Sequence, residues 1–394
     1  MSVELFDDIK RDNTGPASYA EPKFGYLNRS GRPAFHRIRA VLEGWFSRYP
    51  EPYRKDLCGR FRSSNNTQHR SAFFELFIHE LLLRLDCGVK IHPTLAGIST
   101  SPDFLVDSRT NGQFYLEAVV ASGESHEKAS ARAIRSSLRD ILDHLDSPSF
   151  FVGWELRSGT QTPPAARRVK AFLEQKLAAV DPERIAGDLK SRGFEALPRW
   201  VYSQDGWIIE FFPIPKSPHL RGKPAIRTIG MEFEGAGLVL VDDRTPLRDA
   251  ILDKAGKYGK LDLPFVVAVN SLAEHLDRVD ALEALFGREQ FVYTQTPAGL
   301  AGPKAQRAPD GVWTSPGGPR YTRLSAVLLI HDLFPWTVTR CTLCLYHNPF
   351  AEKRLDCELN RLPKMVPKGD RPDWIAGEPL SSILGLPEDW PGRD

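Results

Sequence analysis

The sequence has few cysteines, no long apolar run and no excess of charge of either sign. Its five cysteines are scattered and odd in number, which argues against a disulfide framework and favours a reducing compartment. No apolar run reaches the ~18 residues of a membrane span, and residues 1–15 lack the apolar stretch of a signal peptide. Lys and Arg number 52 against 50 Asp and Glu, a net charge of +2. We therefore expect a cytoplasmic protein with no membrane partner.

Several catalytic signatures are absent as well. There is no G-x-x-x-x-G-K-[ST], G-x-G-x-x-G or G-x-S-x-G motif, which argues against P-loop, dinucleotide-binding and α/β-hydrolase sites. Cys341, Cys344 and His347 have the spacing of zinc ligands, but they lie in a strand-like segment, RCTLCLYH. Residues three apart in a strand point to opposite faces, so we interpret the two cysteines as small buried residues.

Helical and strand patterns alternate along the chain. Residues 68–86 carry an apolar stripe at helical spacing, and three short strand patterns follow, with a hairpin signal at Asn111-Gly112. Helix 245–258 precedes the apolar strand pattern 264–270. Together these patterns predict an α/β fold in which helices flank a mixed central sheet.

The same patterns divide the chain into three parts. We expect residues 1–34 to form a polar N-terminal arm and residues 35–290 to form a core with an insertion at about 146–236. Residues 291–394 would hold a Gly- and Pro-rich loop without regular structure, two C-terminal strands and a polar tail.

Three acidic residues are the candidates for chemistry. Glu75 borders the apolar stripe of helix 68–86, Asp103 follows Pro102 at the start of a strand, and Glu117 lies inside the next strand. A mid-strand Glu among apolar residues is costly to bury without a partner. Converging carboxylates bind hard cations such as Mg²⁺ or Mn²⁺. A buried ion pair with an Arg is the structural alternative.

The order of these acids resembles that of the PD-(D/E)XK nuclease superfamily. The resemblance rests on Glu75 in the helix, Pro102-Asp103 at one strand and Glu117-Ala118-Val119 in the next. It implies a restriction-endonuclease-like core and hydrolysis of DNA phosphodiester bonds. Asp103, Glu117 and the Ala118 carbonyl would hold Mg²⁺ or Mn²⁺, and Glu75 would bind the same ion through water or bind a second ion.

One position departs from the family pattern. Val119 stands where the family has a Lys that positions the attacking water and stabilises negative charge. Lys254 or Lys257, three apart on one face of helix 245–258, could replace it. The missing Lys is equally what an inactive member would show. A catalytically inactive nuclease-fold module that binds nucleic acid or protein is therefore the alternative function.

Basic residues concentrate just before the acidic helix. Between positions 29 and 70 ten Lys or Arg stand against three acids, which is +7 in 42 residues. A patch of this kind suits the phosphate backbone of DNA, although a solvated charged surface is the plain alternative. The DNA-binding candidates in this patch and in a second basic loop are Arg54, Lys55, Arg60, Arg62, Lys216, Arg221 and Lys223. The sequence leaves a homo-oligomer open.

Overall fold

A computed structural model describes residues 3–95, 100–110, 112–123, 126–160, 162–223, 228–233, 242–293, 295–296, 299–300, 302–368 and 371–393. The α-helices in these ranges are α1 (Lys23–Arg29), α2 (Pro33–Arg48), α3 (Glu51–Phe61), α4 (Asn66–Arg84), α5 (His126–Asp143), α6 (Ala166–Ala178), α7 (Pro182–Arg192), α8 (Arg244–Lys257), α9 (Arg278–Phe286) and α10 (Leu380–Leu384). None of the helices in the described ranges is long and apolar enough to cross a membrane.

The strands in the described ranges comprise fourteen of four or more residues and four of two residues each. They are β1 (Gly88–Ile91), β2 (Phe104–Ser108), β3 (Gly112–Ala121), β4 (Phe150–Ser158), β5 (Trp200–Gln204), β6 (Trp207–Pro215), β7 (Ile229–Phe233), β8 (Phe265–Ser271), β9 (Glu289–Val292), β10 (Gln295–Thr296), β11 (Gly299–Leu300), β12 (Lys304–Arg307), β13 (Thr314–Ser315), β14 (Gly318–Pro319), β15 (Leu324–His331), β16 (Thr342–His347), β17 (Lys364–Lys368) and β18 (Arg371–Ile375).

The chain divides into two compact units. The first comprises Met1–Gly15, Pro22–Gly123 and Val241–Asp394, and the second comprises Pro16–Glu21 and Glu124–Leu240. The second unit starts earlier than the insertion expected at about 146–236. The reason is that α5 buries Leu138 and Leu142 in the core of that unit instead of in the core of the first.

The first unit is built on an eight-stranded mixed sheet with the order β1-β2-β3-β8-β15-β16-β17-β18. The pairs β1–β2 and β2–β3 are antiparallel, whereas β3–β8 and β8–β15 are parallel. The predicted α/β class with a mixed, helix-flanked sheet is therefore confirmed. β17 and β18 extend the sheet in the region expected to be a polar tail. There Met365 is buried in one of the two apolar cores that pack on the sheet.

Each face of this sheet has its own apolar core. Phe114 and Leu116 of β3 point to the face covered by α1 to α4, together with Phe77 and Leu81 of α4. Tyr115 points to the opposite face, where α8 and α9 pack. The two directions follow from the alternation of side chains along a strand. Residue 117 shares the orientation of Tyr115 and is thereby directed toward α8.

The N-terminal segment does not behave as a polar arm. Leu5 is fully buried, and Phe6, Phe24 and Leu27 are buried with it in the core of the first face. The apolar residues are too sparsely spaced along residues 1–34 for any periodic pattern to mark them. The predicted structureless region at 296–320 likewise contains short strand pairs, such as β13 with β14.

The second unit has a four-stranded sheet with the order β5-β6-β4-β7. The predicted hairpin at 199–213 is present as β5 and β6, joined at Asp205 and Gly206. Both turn residues have positive φ, 53° and 80°, as a tight two-residue hairpin requires. Trp154, Trp207 and Tyr202 fill the core beneath the sheet. The strand predicted at 237–241 lies outside the described residues.

Candidate active site

The two strand acids lie side by side at one end of the β2–β3 pair. Phe104 pairs with Leu116 in the antiparallel ladder, so Asp103 and Glu117 form the next position along it. The Ala118 amide donates a hydrogen bond to Asp103 Oδ2 over 2.7 Å, and the Asp103 amide donates to Glu117 Oε2 over 3.3 Å. The reciprocal bonds fix both acids on the backbone of the neighbouring strand.

Helix α8 supplies the partners of Glu117, which is only 1% exposed. Lys254 Nζ and Lys257 Nζ lie 3.1 Å and 3.0 Å from Glu117 Oε1. The Tyr258 hydroxyl donates to Glu117 Oε2 over 2.6 Å and also lies 2.8 Å from the Ser101 carbonyl oxygen. Lys254 and Lys257 share one helix face because they are three apart, and Tyr258 is the extended residue that directly follows the helix. The structure thus brings both predicted lysines to Glu117.

The close pair of acids changes the protonation of Asp103. Burial, and then the adjacent Glu117 carboxylate, raise the pKa of Asp103 to about 7, against the lowering effects of the Ala118 amide and Lys254. Burial and the hydrogen bond to Glu117 raise the pKa of Tyr258 far above its usual range. Tyr258 is therefore a permanent proton donor to Glu117, whereas Asp103 exchanges its proton near neutral pH.

Glu75 is buried at 6% exposure, but it is held in a different set of contacts. Its Oε1 accepts a hydrogen bond from the Tyr49 hydroxyl, and its Oε2 lies 2.8 Å from Arg60 NH1. Glu75 also contributes to the raised pKa of Asp103, so the two acids are electrostatic neighbours. Across the described residues, however, no three His, Cys, Asp or Glu side chains are arranged to hold a metal ion together.

The main chain at Ala118 contributes a further oxygen. In an extended strand the N–H and C=O of one residue point to the same side. The Ala118 N–H points to Asp103, and the β2 ladder begins only opposite Leu116. The Ala118 carbonyl is therefore directed to the Asp103 side. Val119 packs in the core of the second sheet face, the face from which α8 approaches Glu117.

The donor set fits a hard divalent cation in its chemistry. Two carboxylates and one main-chain carbonyl are oxygen ligands of the kind that Mg²⁺ and Mn²⁺ prefer. Burial and then the adjacent Glu117 carboxylate raise the pKa of Asp103, and a bound cation would favour the ionised carboxyl against both effects. In the absence of a ligand both oxygens of Glu75 are bonded to Tyr49 and Arg60, and both oxygens of Glu117 are contacted by the α8 lysines and Tyr258.

The predicted DNA-binding residues of the first unit differ in how they are used. Lys55 is exposed beside an open cavity of about 560 Å³ on α3. Arg54 donates to the carbonyl oxygens of Tyr49 and Ser47, and Arg62 pairs with Asp7. Burial alone would lower the pKa of Arg60, but its bonds to Glu75 and Asp56 raise it. Lys55 is thus the member of this group best placed to contact a ligand.

In the second unit one predicted DNA contact is incorrect. Lys216 is 3% exposed and donates from Nζ to the Ser147 carbonyl over 2.8 Å, so it cannot reach a DNA backbone. Burial lowers the pKa of Lys216. Arg221 pairs with Glu183, and Lys223 is exposed.

A second acid on α4 also differs from its expectation. The spacing of Glu80 and Arg84 is that of a solvated pair on a helix surface, yet Glu80 is fully buried. It accepts hydrogen bonds from both Arg48 and Arg84, at distances of 2.7 to 2.9 Å. No spacing rule along one helix could reveal the contribution of Arg48 from α2.

Cys341 and Cys344 point to opposite faces, as the strand pattern predicts, although both are half-buried instead of buried. Cys341 packs on the core of the first sheet face and Cys344 on that of the second. Burial raises the pKa of both thiols. Their opposite directions are incompatible with a shared metal ion.

Comparisons with known proteins identify no relative. No protein-family model, no curated protein and no solved structure matches this chain. The geometry of Asp103, Glu117 and the α8 residues is the observation that bears on function.

Proposed function

We propose that this protein is a metal-dependent nuclease that hydrolyses DNA phosphodiester bonds on a restriction-endonuclease-like core. One observation carries the proposal. The buried Glu117 carboxylate lies beside a second acid, Asp103, and is contacted by two lysines of α8 and by the tyrosine that follows this helix. The lysines are compact charges on flexible stems that can exchange partners, unlike the guanidinium groups that hold Glu80.

Asp103, Glu117 and the Ala118 carbonyl would hold Mg²⁺ or Mn²⁺. When bound, the ion would neutralise phosphate charge and lower the pKa of a water that attacks phosphorus. Tyr258 keeps Glu117 in place through its hydroxyl, and the Ala118 amide keeps Asp103 in place. Both acids are therefore oriented before any ligand arrives, which reduces the cost of ordering them.

The two lysines support the replacement of the missing motif Lys. Lys254 is the less exposed of the two, at 21% against 35% for Lys257. Lys254 also counteracts the raised pKa of Asp103, which places its charge close to both acids. We assign to Lys254 the stabilisation of negative charge that develops on the phosphate in the transition state. Lys257, closer to solvent, would contact the incoming phosphodiester.

A specific observation favours the alternative of an inactive module. The Arg60 contact neutralises Glu75, and no cluster of three potential ligands occurs in the described ranges. If the acid pair serves only to stabilise the fold, the protein would bind nucleic acid or protein without cutting it.

A cleavage assay separates the two functions. Supercoiled plasmid and single-stranded DNA are incubated with the purified protein in Mg²⁺, Mn²⁺ or EDTA. We expect cleavage that requires the divalent ion and is lost in Asp103→Asn. Glu174→Gln is the matched control, because it removes an exposed acid from the Glu174-Gln175-Lys176 sequence of α6. Absence of cleavage by the wild-type protein under every condition would contradict the nuclease proposal and leave the inactive module.

A further inference from the structure

A β-ribbon follows α9 in the first unit. β9 and β12 pair with each other, from Glu289 opposite Arg307 to Val292 opposite Lys304, and β10 and β11, which lie between them in the chain, form a second pair. Within the described ranges none of these four strands pairs with the eight-stranded sheet. All four residues of β12 are exposed, and side chains alternate along a strand, so both faces of the ribbon meet solvent. We call residues 289–307 the arm.

The arm carries two aromatic side chains that little else covers. Phe291 is 63% exposed and Tyr293 is 59% exposed, the highest values among the large apolar residues of the described ranges. Phe291 lies opposite Ala305, whose methyl group is too small to cover an aromatic ring. Tyr293 directly follows β9 and is two residues from Phe291, the spacing of side chains that share one face of an extended chain. The arm thus offers two rings for contact with a ligand.

The charges of the arm and its first flanking residue are mainly positive. Residues 288–307 contain three Lys or Arg and one acid, Glu289, which lies opposite Arg307. Lys304 is exposed next to Ala305, the residue opposite the exposed phenyl ring. An ammonium group and an uncovered aromatic ring are therefore close enough in the ribbon to contact one ligand.

The base of the arm is fixed to the helix that supplies the lysines of the candidate site. Asp310 accepts hydrogen bonds from the Arg288 amide over 3.0 Å and from its side-chain Nε over 2.8 Å, and it pairs with Arg244 over 3.0 Å. Arg244 is the first residue of α8, and Lys254 and Lys257 lie in its last turn. At ~1.5 Å per residue α8 is about 20 Å long. The arm base and the acid pair therefore lie at opposite ends of one helix.

A ligand for this surface needs flat apolar faces and negative charge, and nucleic acids have both. In a duplex the faces of the bases are covered by neighbouring pairs, whereas the bases of a single strand can stack on aromatic side chains. We propose, on the basis of the nuclease function proposed above, that the arm binds a single-stranded segment of DNA. One base stacks on Phe291 and one on Tyr293, and Lys304 contacts a phosphate. A single strand is then the form of the substrate that the arm holds.

The double variant Phe291→Ser with Tyr293→Ser tests the proposal. Both side chains are exposed, so the melting temperature should stay at the wild-type value. Fluorescence anisotropy of a labelled oligothymidylate in EDTA measures binding separately from cleavage. We expect its Kd to rise about 100-fold, roughly tenfold for each stacked base. The Kd of an abasic strand of the same length, which keeps the phosphates and lacks the bases, should not change.

Two further measurements sharpen the test. Val279→Ser is the matched control, because it removes an apolar side chain of α9 that is 57% exposed and lies outside the arm. This variant should bind oligothymidylate with the wild-type Kd. In Mg²⁺ the double variant should cut single-stranded DNA with a raised KM and an unchanged kcat, because the arm holds the substrate away from the reacting phosphate.

Each outcome decides the assignment. A rise in Kd for oligothymidylate that the abasic strand does not share supports it. An unchanged Kd, or an equal rise for both strands, overturns it, and the nuclease function is then judged on the cleavage assay alone. A double variant that sediments as a smaller species and keeps its Kd assigns the arm to contact between copies of the chain and overturns the proposal. A wild-type protein that binds oligothymidylate through the arm but cuts no DNA overturns the nuclease function and supports the arm as a DNA-binding element.

Discussion

Glu80 and Glu117 are both buried carboxylates that contact two cationic side chains, and their surroundings differ in a way that separates structure from chemistry. Glu80 accepts two hydrogen bonds from the Arg48 guanidinium and one from Arg84. A planar guanidinium that donates two bonds to one carboxylate fixes both groups in a single geometry. Glu80 therefore joins α2 to α4 and has no capacity left for a ligand.

The cations at Glu117 are lysines, and a second acid is adjacent. Lys254 and Lys257 both contact the same oxygen, Oε1, as compact charges on flexible stems. Asp103 stands next to Glu117 with a pKa raised to about 7 by burial and by that neighbour. The comparison teaches that a buried acid is not in itself a site. A second adjacent acid, with lysines in place of a guanidinium that donates two bonds, is the feature that distinguishes Glu117.

The largest effect should come from neutralising Glu117. Glu117→Gln keeps the shape and the hydrogen bond from Tyr258 but removes the charge that would hold a divalent ion. We expect at least a ~1000-fold loss of Mg²⁺-dependent cleavage, comparable to loss of a principal electrostatic group. Plasmid nicking rates measure it, with circular dichroism as the control for folding. A variant that cuts within tenfold of the wild type would contradict the site.

Glu80→Gln should show the opposite pattern. Its removal leaves Arg48 and Arg84 without their shared carboxylate, but both arginines are about 40% exposed and stay hydrated. We therefore expect the free energy of unfolding to fall by about 2–3 kcal/mol, less than for a fully buried pair. Urea denaturation measures this loss. Cleavage per folded molecule should remain at the wild-type rate. A loss of activity without a loss of stability would contradict the purely structural role of Glu80.

A smaller effect concerns stability and pH at Asp103. Asp103 binds its proton more tightly in the folded state than at the ordinary pKa of 3.8. The protonated carboxyl therefore favours the folded state, and this stabilisation is complete below about pH 4. It is lost as pH rises to 7. Asp103→Asn should then be more stable than the wild type at pH 8, by about 1–2 kcal/mol because the carboxyl is partly exposed. The two proteins should converge at pH 4, and equal stabilities at pH 8 would exclude a strained acid pair.

The smallest effect compares an exposed with a buried lysine. Lys55 is exposed on α3, whereas Lys216 is buried and bonded to a carbonyl oxygen. Loss of one phosphate contact makes the negative slope of the logarithm of the DNA-binding constant against the logarithm of salt concentration shallower by about one. Lys55→Gln should produce this change in DNA binding, and Lys216→Met should leave the slope unaltered. An unchanged slope in Lys55→Gln would show that Lys55 of α3 does not contact the DNA backbone.

Much of the central sheet and of the helix packed on it could be predicted, because the spacing of apolar residues indicates which face of each element is buried. The helix expected at 68–86 is α4, Asn66–Arg84, and its start matches a cap in which the Asn65 side chain accepts from the Thr67 amide. The apolar strand expected at 264–270 is β8, Phe265–Ser271. Such elements carry their pattern within a few residues, so local sequence suffices.

Part of the candidate site could also be placed in advance. The hairpin signal and strand alternation indicated that Asp103 and Glu117 would be neighbours, and helix spacing indicated that Lys254 and Lys257 share a face. The structure brings these four residues together. Their catalytic roles remain predictions.

Other contacts could not be predicted because they join segments that are distant in sequence. The sequence predicts that Arg60 contacts DNA, yet Arg60 pairs with Glu75 across the α3–α4 turn. The burial of Leu5 and the pairing of β17 with β16 depend on which surfaces happen to be adjacent. Single patterns of apolar residues do not encode such adjacency.

The most direct test of the account is divalent-ion binding in the absence of DNA. Mn²⁺ is titrated into the wild-type protein, Glu117→Gln and Glu174→Gln at pH 8, and free Mn²⁺ is followed by electron paramagnetic resonance. The account predicts one site in the wild type and in Glu174→Gln, and loss of that site in Glu117→Gln. Equal Mn²⁺ binding by all three proteins, or none by the wild type, would contradict the claim that Asp103 and Glu117 form a metal-dependent nuclease site.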